Sequence, residues 1–140
     1  MAQKIGAESL IEFNLKPREY SPLTLAYIGD AVYEMYMRSR LVSICNDKVS
    51  SLHKKASRLV CASAQSKGAE IIMSELSEEE EAIFKRGRNA KSATTPKNAD
   101  VLEYRCATGL EALIGFLYIK KEFDRVEYLL CKIYESLCDI

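Results

Sequence analysis

LAYIGDAVYEMYMRSRL, residues 25–41, has the rhythm of a helix but is apolar on nearly every side. Leu25, Ala26, Tyr27, Ile28, Ala31, Val32, Met35, Tyr36 and Met37 leave almost no polar face opposite an apolar stripe, as a solvated surface helix would have. Yet Asp30 and Glu34 stand in the middle of it. A buried carboxylate is costly unless it is paired, hydrogen-bonded or metal-bound. The stretch therefore predicts a core helix carrying at least one acid that needs a partner.

Outward from this stretch the period stays helical. Ser21-Pro22 reads as a cap followed by proline at the first helical position, and the helix it opens runs to about Arg40. Asn46 or Asp47 can cap a second helix in which Val49, Leu52, Ala56, Leu59 and Val60 recur at helical spacing. A third covers Ala62 to Met73. Ser77 and Glu80 match a capping box opening a short helix to about Arg86. GRNAKSATTPKNA, residues 87–99, is the one long turn-rich stretch. Helix resumes from Asp100 to about Lys120, and a last one from Glu122 to about Leu137 places Phe123, Val126, Leu129, Leu130, Ile133 and Leu137 on one face. With no strand pattern and no internal repeat, the expectation is an all-α protein with 1–140 as a single domain.

The 140 residues suffice for a core without staples. Twenty basic and twenty acidic residues cancel, so only the distribution of charge can point to a polyanionic partner. Five cysteines without a CxxC spacing suit reduced thiols better than a disulfide framework or a zinc site. The first residues lack a signal-peptide core, and the longest apolar run, LEALIGFLYI, is about half of a roughly 20-residue membrane span. A soluble, cytoplasmic protein is expected. Between Lys85 and Ala99 lie Lys85, Arg86, Arg88, Lys91 and Lys97 with no acid among them. Such a loop suits a phosphate backbone, which asks for charge and hydrogen bonds without base register; an ordinary solvated loop has the same composition. Lys54, Lys55 and Arg58 form a second basic cluster, on a helix, where a plain solvated face is the alternative.

Two apolar helical segments each carry an internal carboxylate beside glycine: Asp30 after Gly29, and Glu111 between Gly109 and Gly115. Small residues let helices approach, which would bring both acids to one site. Paired carboxylates suit Mg²⁺, a hard cation that takes oxygen ligands and keeps several waters. The alternative is that each acid pairs with a buried arginine or caps a neighbouring helix. With His53 the only histidine, a di-iron carboxylate bundle and a typical zinc hydrolase are both excluded.

LAYIGDAVYE together with YRCATGLEALIGFLYI, and the basic FKRGRNAK between them, resembles the ribonuclease III family, most closely its short bacterial branch. The resemblance covers nearly the whole chain. It implies a helical endoribonuclease domain of about six to seven helices, acting as a homodimer on double-stranded RNA with Mg²⁺ and leaving 5′-phosphates. It matches Asp30 and Glu111 to the family's catalytic aspartate and glutamate. It further implies the branch's task, trimming the stems at the 5′ and 3′ ends of precursor 23S ribosomal RNA with a large-subunit ribosomal protein as helper, and the lack of a separate RNA-binding domain. The longer enzymes carry two more acids in the site, where this chain has Ala26 and Thr108. Thr108 is a candidate to reach the metal through a water, and Glu34 to face a basic residue. A non-catalytic RNA-binding or ribosome-associated module on the same fold is the competing expectation, supported by those two replacements.

Overall fold

The computed structural model describes residues 11–91 and 100–138. Among them run six helices, α1 (Pro22–Ile44), α2 (Val49–Val60), α3 (Ala62–Ile72), α4 (Glu78–Arg88), α5 (Val101–Ile119) and α6 (Phe123–Cys138), with 3-10 turns at Pro17–Glu19 and Met73–Glu75 and no strand. The expected all-α class is what forms.

The helix starts follow their caps. Ser21 Oγ accepts the Thr24 N–H at 3.2 Å ahead of Pro22. Ser77 and Glu80 close the capping box in both directions, at 3.1 and 2.9 Å, and Asp100 accepts from the N–H groups of Leu102 and Glu103. Each satisfies donors that a helix N-terminus otherwise leaves open.

Three boundaries differ from the sequence reading. α1 continues past Arg40 to Ile44 because its core stripe, Leu25, Gly29, Tyr33, Met37 and Leu41, advances in steps of four and needs the last turn to seat Leu41. α2 is preceded by Lys48, with no side-chain cap, rather than by Asn46 or Asp47; the Asp47 carboxylate is taken by Lys55 Nζ at 2.6 Å. The turn-rich stretch begins two residues late, since Gly87 and Arg88 belong to α4. Gly87 is buried there, and a Cβ on it would stand 2.6 Å from the Cβ of Ala112.

α5 is the central helix. It packs against α1, α3, α4 and α6, and residues 112–117 are buried without interruption. Enclosure on all sides is why residues 112–117 show no polar face. α1 is different, because its apolar residues divide. One side enters the core, while Tyr27 (82% exposed), Met35 (69%) and Val42 (61%) face outward.

The crossing of α1 on α5 sets the rest. A Cβ at Gly29 would lie 1.7 Å from the Glu111 carbonyl oxygen, and one at Gly115 would lie 1.9 Å from the Leu25 carbonyl oxygen. The two backbones touch through reciprocal glycines, each costing about 1 kcal/mol of helix propensity. Nothing flexible stands in the way to yield. Gly29→Ala or Gly115→Ala should therefore cost about 2–3 kcal/mol by overpacking, read as a fall of roughly 10 °C in the thermal midpoint. Gly68→Ala meets only the side chain of Ile133 and should cost less than either.

Candidate active site

Because Gly29 rests on the peptide of Glu111, the next residue of α1, Asp30, projects beside the Glu111 side chain. The two carboxyls come within hydrogen-bonding reach. Asp30 is exposed at the surface and Glu111 sits behind it, half-buried. Burial, first, and then the hydrogen bond and charge of Asp30 push the Glu111 carboxyl up to about 8. Two close carboxylates in a partly dehydrated place cannot both ionise cheaply, and here the deeper one keeps its proton.

A third group reaches the pair. Gln65, on α3 and only 3% exposed, donates through Nε2 to Glu111 Oε2 at 3.4 Å. This bond favours the ionised carboxylate, against the effect of burial and Asp30. The sequence reading did not single out Gln65. Its signal was present, since Ala64, Gly68, Ala69 and Ile72 make the buried face of α3, and Gln65 is the polar residue set into it. Behind the site, Tyr33 donates its hydroxyl to the Leu59 carbonyl at 2.7 Å. Burial, with lesser contributions from Cys61 and Glu111, pushes the Tyr33 phenol well up, which keeps it a neutral donor.

The other anticipated positions fall as follows. Ala26, one turn before Asp30, is buried, 7% exposed. Thr108, one turn before Glu111, is half-buried and donates its hydroxyl to the Tyr104 carbonyl at 3.0 Å, leaving only lone pairs for any water. Glu34 pairs with Arg38 on its own helix at 2.5 Å.

The cations of the expected loop are mostly helical. Lys85, Arg86 and Arg88 occupy the last turn of α4, where the helix dipole favours positive charge. Lys85 pairs with Glu81 at 3.2 Å. Arg86 donates to the carbonyls of Arg18 and Tyr20, at 3.2 and 3.3 Å, and so ties down the segment before α1. Among the described residues Arg88 reaches only its neighbour Asn89. Lys91 is exposed, and Lys97 lies outside the described residues. On α2, Lys55 is engaged with Asp47, while Lys54 and Arg58 are exposed.

Among the described residues, no cluster of three or more His, Cys, Asp or Glu side chains forms a ready-made metal cage. The donor set at Asp30 and Glu111 nonetheless fits Mg²⁺. It is all oxygen, and Mg²⁺ is commonly held by one or two carboxylates with waters and substrate phosphates completing its shell. A dication would also relieve the repulsion that holds Glu111 protonated.

A sequence with this crossing and this acid pair can be compared with known proteins. The Ribonuclease III domain profile matches residues 23–122. The Mini-ribonuclease 3 of Thermoanaerobacter sp. (strain X514) is 51% identical over 110 residues, 79% of this chain and 78% of the relative. That of Clostridium tetani is 48% identical over 114 residues, covering 81% and 76%. The chain belongs to the Mini-ribonuclease 3 branch of the ribonuclease III family. A Fusobacterium nucleatum protein of known crystal structure shares the fold, with a TM-score of 0.78 at 34% identity, over 85% of this chain and 95% of that one. As a Mini-ribonuclease 3 the protein is a ribonuclease, a hydrolase acting on RNA. The resemblance read from IGDAV and EALIG holds at the level of the family.

The raised Glu111 carboxyl has a thermodynamic signature. Below about pH 4.5 it is protonated in both folded and unfolded chains. Between there and about 8 the folded chain holds a proton that the unfolded chain has released. Metal-free stability should accordingly decline as pH rises across that window. In melts with chelator, the wild type should lose several degrees between pH 5 and 8.5 relative to Glu111→Gln, and Mg²⁺ should recover most of that loss. Parallel curves for the two proteins would contradict it.

Proposed function

We propose that this Mini-ribonuclease 3 is a Mg²⁺-dependent endoribonuclease cleaving double-stranded RNA, with Asp30 and Glu111 as its catalytic acids. The observation that carries the reading is their convergence at the glycine crossing, one acid exposed to substrate and one behind it. Both would hold the cation. Once bound, Mg²⁺ supplies Lewis-acid activation of water and neutralisation of charge at a phosphoryl oxygen. Asp30, on the exposed helix face, meets the approaching phosphate side; Glu111, anchored in the central helix, fixes the depth of the site. With Ala26 buried and Thr108 bonded to its own helix, two carboxylates act where the longer enzymes have four. The RNA phosphates then make up more of the cation's shell, so metal and RNA should bind cooperatively.

A double helix of RNA is held mainly through phosphates and 2′-hydroxyls across its shallow minor groove. The cations proposed for this are Lys54, Arg58 and Lys91, which are exposed, together with Lys85 and Arg88, whose surface contacts are weak enough to exchange. Lys97 joins them on sequence grounds, whereas Lys55 and Arg86 already have intramolecular duties. The exposed apolar strip of α1, with Tyr27, Ala31 and Met35 around Asp30, is the proposed homodimer surface, placing each acid pair at a subunit boundary. Sedimentation as a monomer at assay concentrations would remove this part. Trimming of precursor 23S ribosomal RNA ends, and help from a large-subunit ribosomal protein, follow from the family resemblance. A cytoplasmic site of action accords with five free cysteines; no helix among the described residues is long and apolar enough to cross a membrane.

The test is cleavage of an end-labelled RNA duplex with and without Mg²⁺. Asp30→Asn and Glu111→Gln should each lower the rate by at least about a hundredfold, the scale on which removal of a group stabilising transition-state charge acts, while duplex binding stays within a few-fold of wild type. Cleavage by either variant near the wild-type rate would overturn the site. Binding without cleavage by the wild type would favour a non-catalytic RNA-binding module.

A further inference from the structure

Apart from the tyrosines, two polar side chains are buried among the described residues, Gln65 at 3% and Glu80 at 6% exposure. Glu80 is fully accounted for by the fold. It completes the capping box of α4 and receives both arms of Arg125 at 2.9 Å. Gln65 has no comparable structural duty. Among the described residues its side chain makes one hydrogen bond, to Glu111. Burying an amide costs free energy that one long bond recovers only in part, and the remainder of that α3 face is built from Ala64, Gly68, Ala69 and Ile72. A methionine or leucine would fill the same volume without that penalty. The position is polar in a place where packing alone would favour an apolar residue.

From this we infer that Gln65 is a positioning residue of the ribonuclease, holding the Glu111 carboxylate in the orientation that receives the divalent cation; the inference rests on Asp30 and Glu111 being the catalytic pair. The chemistry explains why an amide stands there. Gln65 Nε2 donates to Oε2 of Glu111 at 3.4 Å, which would restrain the carboxylate while it holds the cation. A lysine in its place would compete with the cation for the same charge. A third acid would add repulsion to a pair already close enough to keep one proton. The neutral donor supports the charged carboxylate without either effect. Such outer partners of metal ligands commonly contribute ten- to a hundredfold in metal affinity or activity. α3 also gains a functional reason to pack on the central helix, because it delivers this one side chain to the crossing of α1 and α5.

The test uses Gln65→Met, similar in volume and without the donor, and Gln65→Asn, which keeps the amide but shortens its reach. Both should cut duplex RNA with kcat lowered about 10- to 100-fold and KM for RNA within about twofold. Half-maximal rate should need several-fold more Mg²⁺. Independently of activity, the rise in thermal midpoint on adding Mg²⁺ without RNA should shrink in both variants and vanish in Glu111→Gln. A residue of merely structural importance would lower the metal-free midpoint and leave the Mg²⁺ dependence alone. Wild-type kcat and a wild-type Mg²⁺ response in either folded variant would overturn the assignment of Gln65, so a Gln65→Met that failed to fold would leave Gln65→Asn to decide. Glu111→Gln tells the two readings apart. If it still cleaves, the catalytic pair itself is wrong; if it is inactive while both Gln65 variants are normal, only the positioning role falls.

Discussion

The contact between Gly29 and the peptide of Glu111 governs the geometry of this molecule. At a crossing where a single methyl group would stand 1.7 Å from a carbonyl oxygen, neither helix can shift along the other without opening the core. Leu25 and Gly115 repeat the contact one turn away, in the opposite sense. Two points of backbone contact define both the separation and the rotation of α1 on α5. Asp30 follows Gly29 directly, and Glu111 supplies the peptide on which Gly29 rests. The side chains of both acids therefore inherit their separation from main-chain packing, the stiffest part of the fold. Sites held by regular helices are more sharply positioned than sites on loops, and this one depends on no loop at all.

Electrostatics explains what such rigidity is for. Left alone, the acid pair is unfavourable, because burial and mutual repulsion keep a proton on Glu111. The fold tolerates this, with Gln65 opposing it from α3 and the neutral hydroxyl of Tyr33 tied back to Leu59. A dication held there, as proposed, would convert the strain into affinity. With Ala26 packed into the core and Thr108 bonded to its own helix, no further acid dilutes the arrangement. On the proposed reading, RNA phosphates would finish what two carboxylates begin. Basic residues lie on α2 and at the end of α4, so a chain with no net charge still presents local positive surface.

Much of this was legible in the sequence, for reasons that differ by element. Helix starts were readable because capping is local chemistry: Ser21-Pro22, the Ser77–Glu80 box and Asp100 all act within four residues of themselves. Acids inside apolar helices beside glycines pointed to a close crossing, since two unusual features had to share one cause. What escaped depended on tertiary partners. Asp47 looks like a cap until Lys55, eight residues on, takes its carboxylate. Gly87 looks like a turn until Ala112 and Gly109 press on it from α5. Arg86 reads as a loop cation, but the carbonyls it serves lie 66 and 68 positions earlier. Gln65 carried the faintest trace, a polar residue on an apolar face, and its meaning appears only with Glu111 against it.

Everything else in the proposed mechanism stands on a divalent cation held between Asp30 and Glu111. Crystals of the protein soaked in Mn²⁺, with data collected at the manganese absorption edge, address it directly. The expected result is an anomalous peak within bonding distance of oxygens from both carboxylates. A peak held by other residues, or none at the pair under conditions that support cleavage, would contradict it.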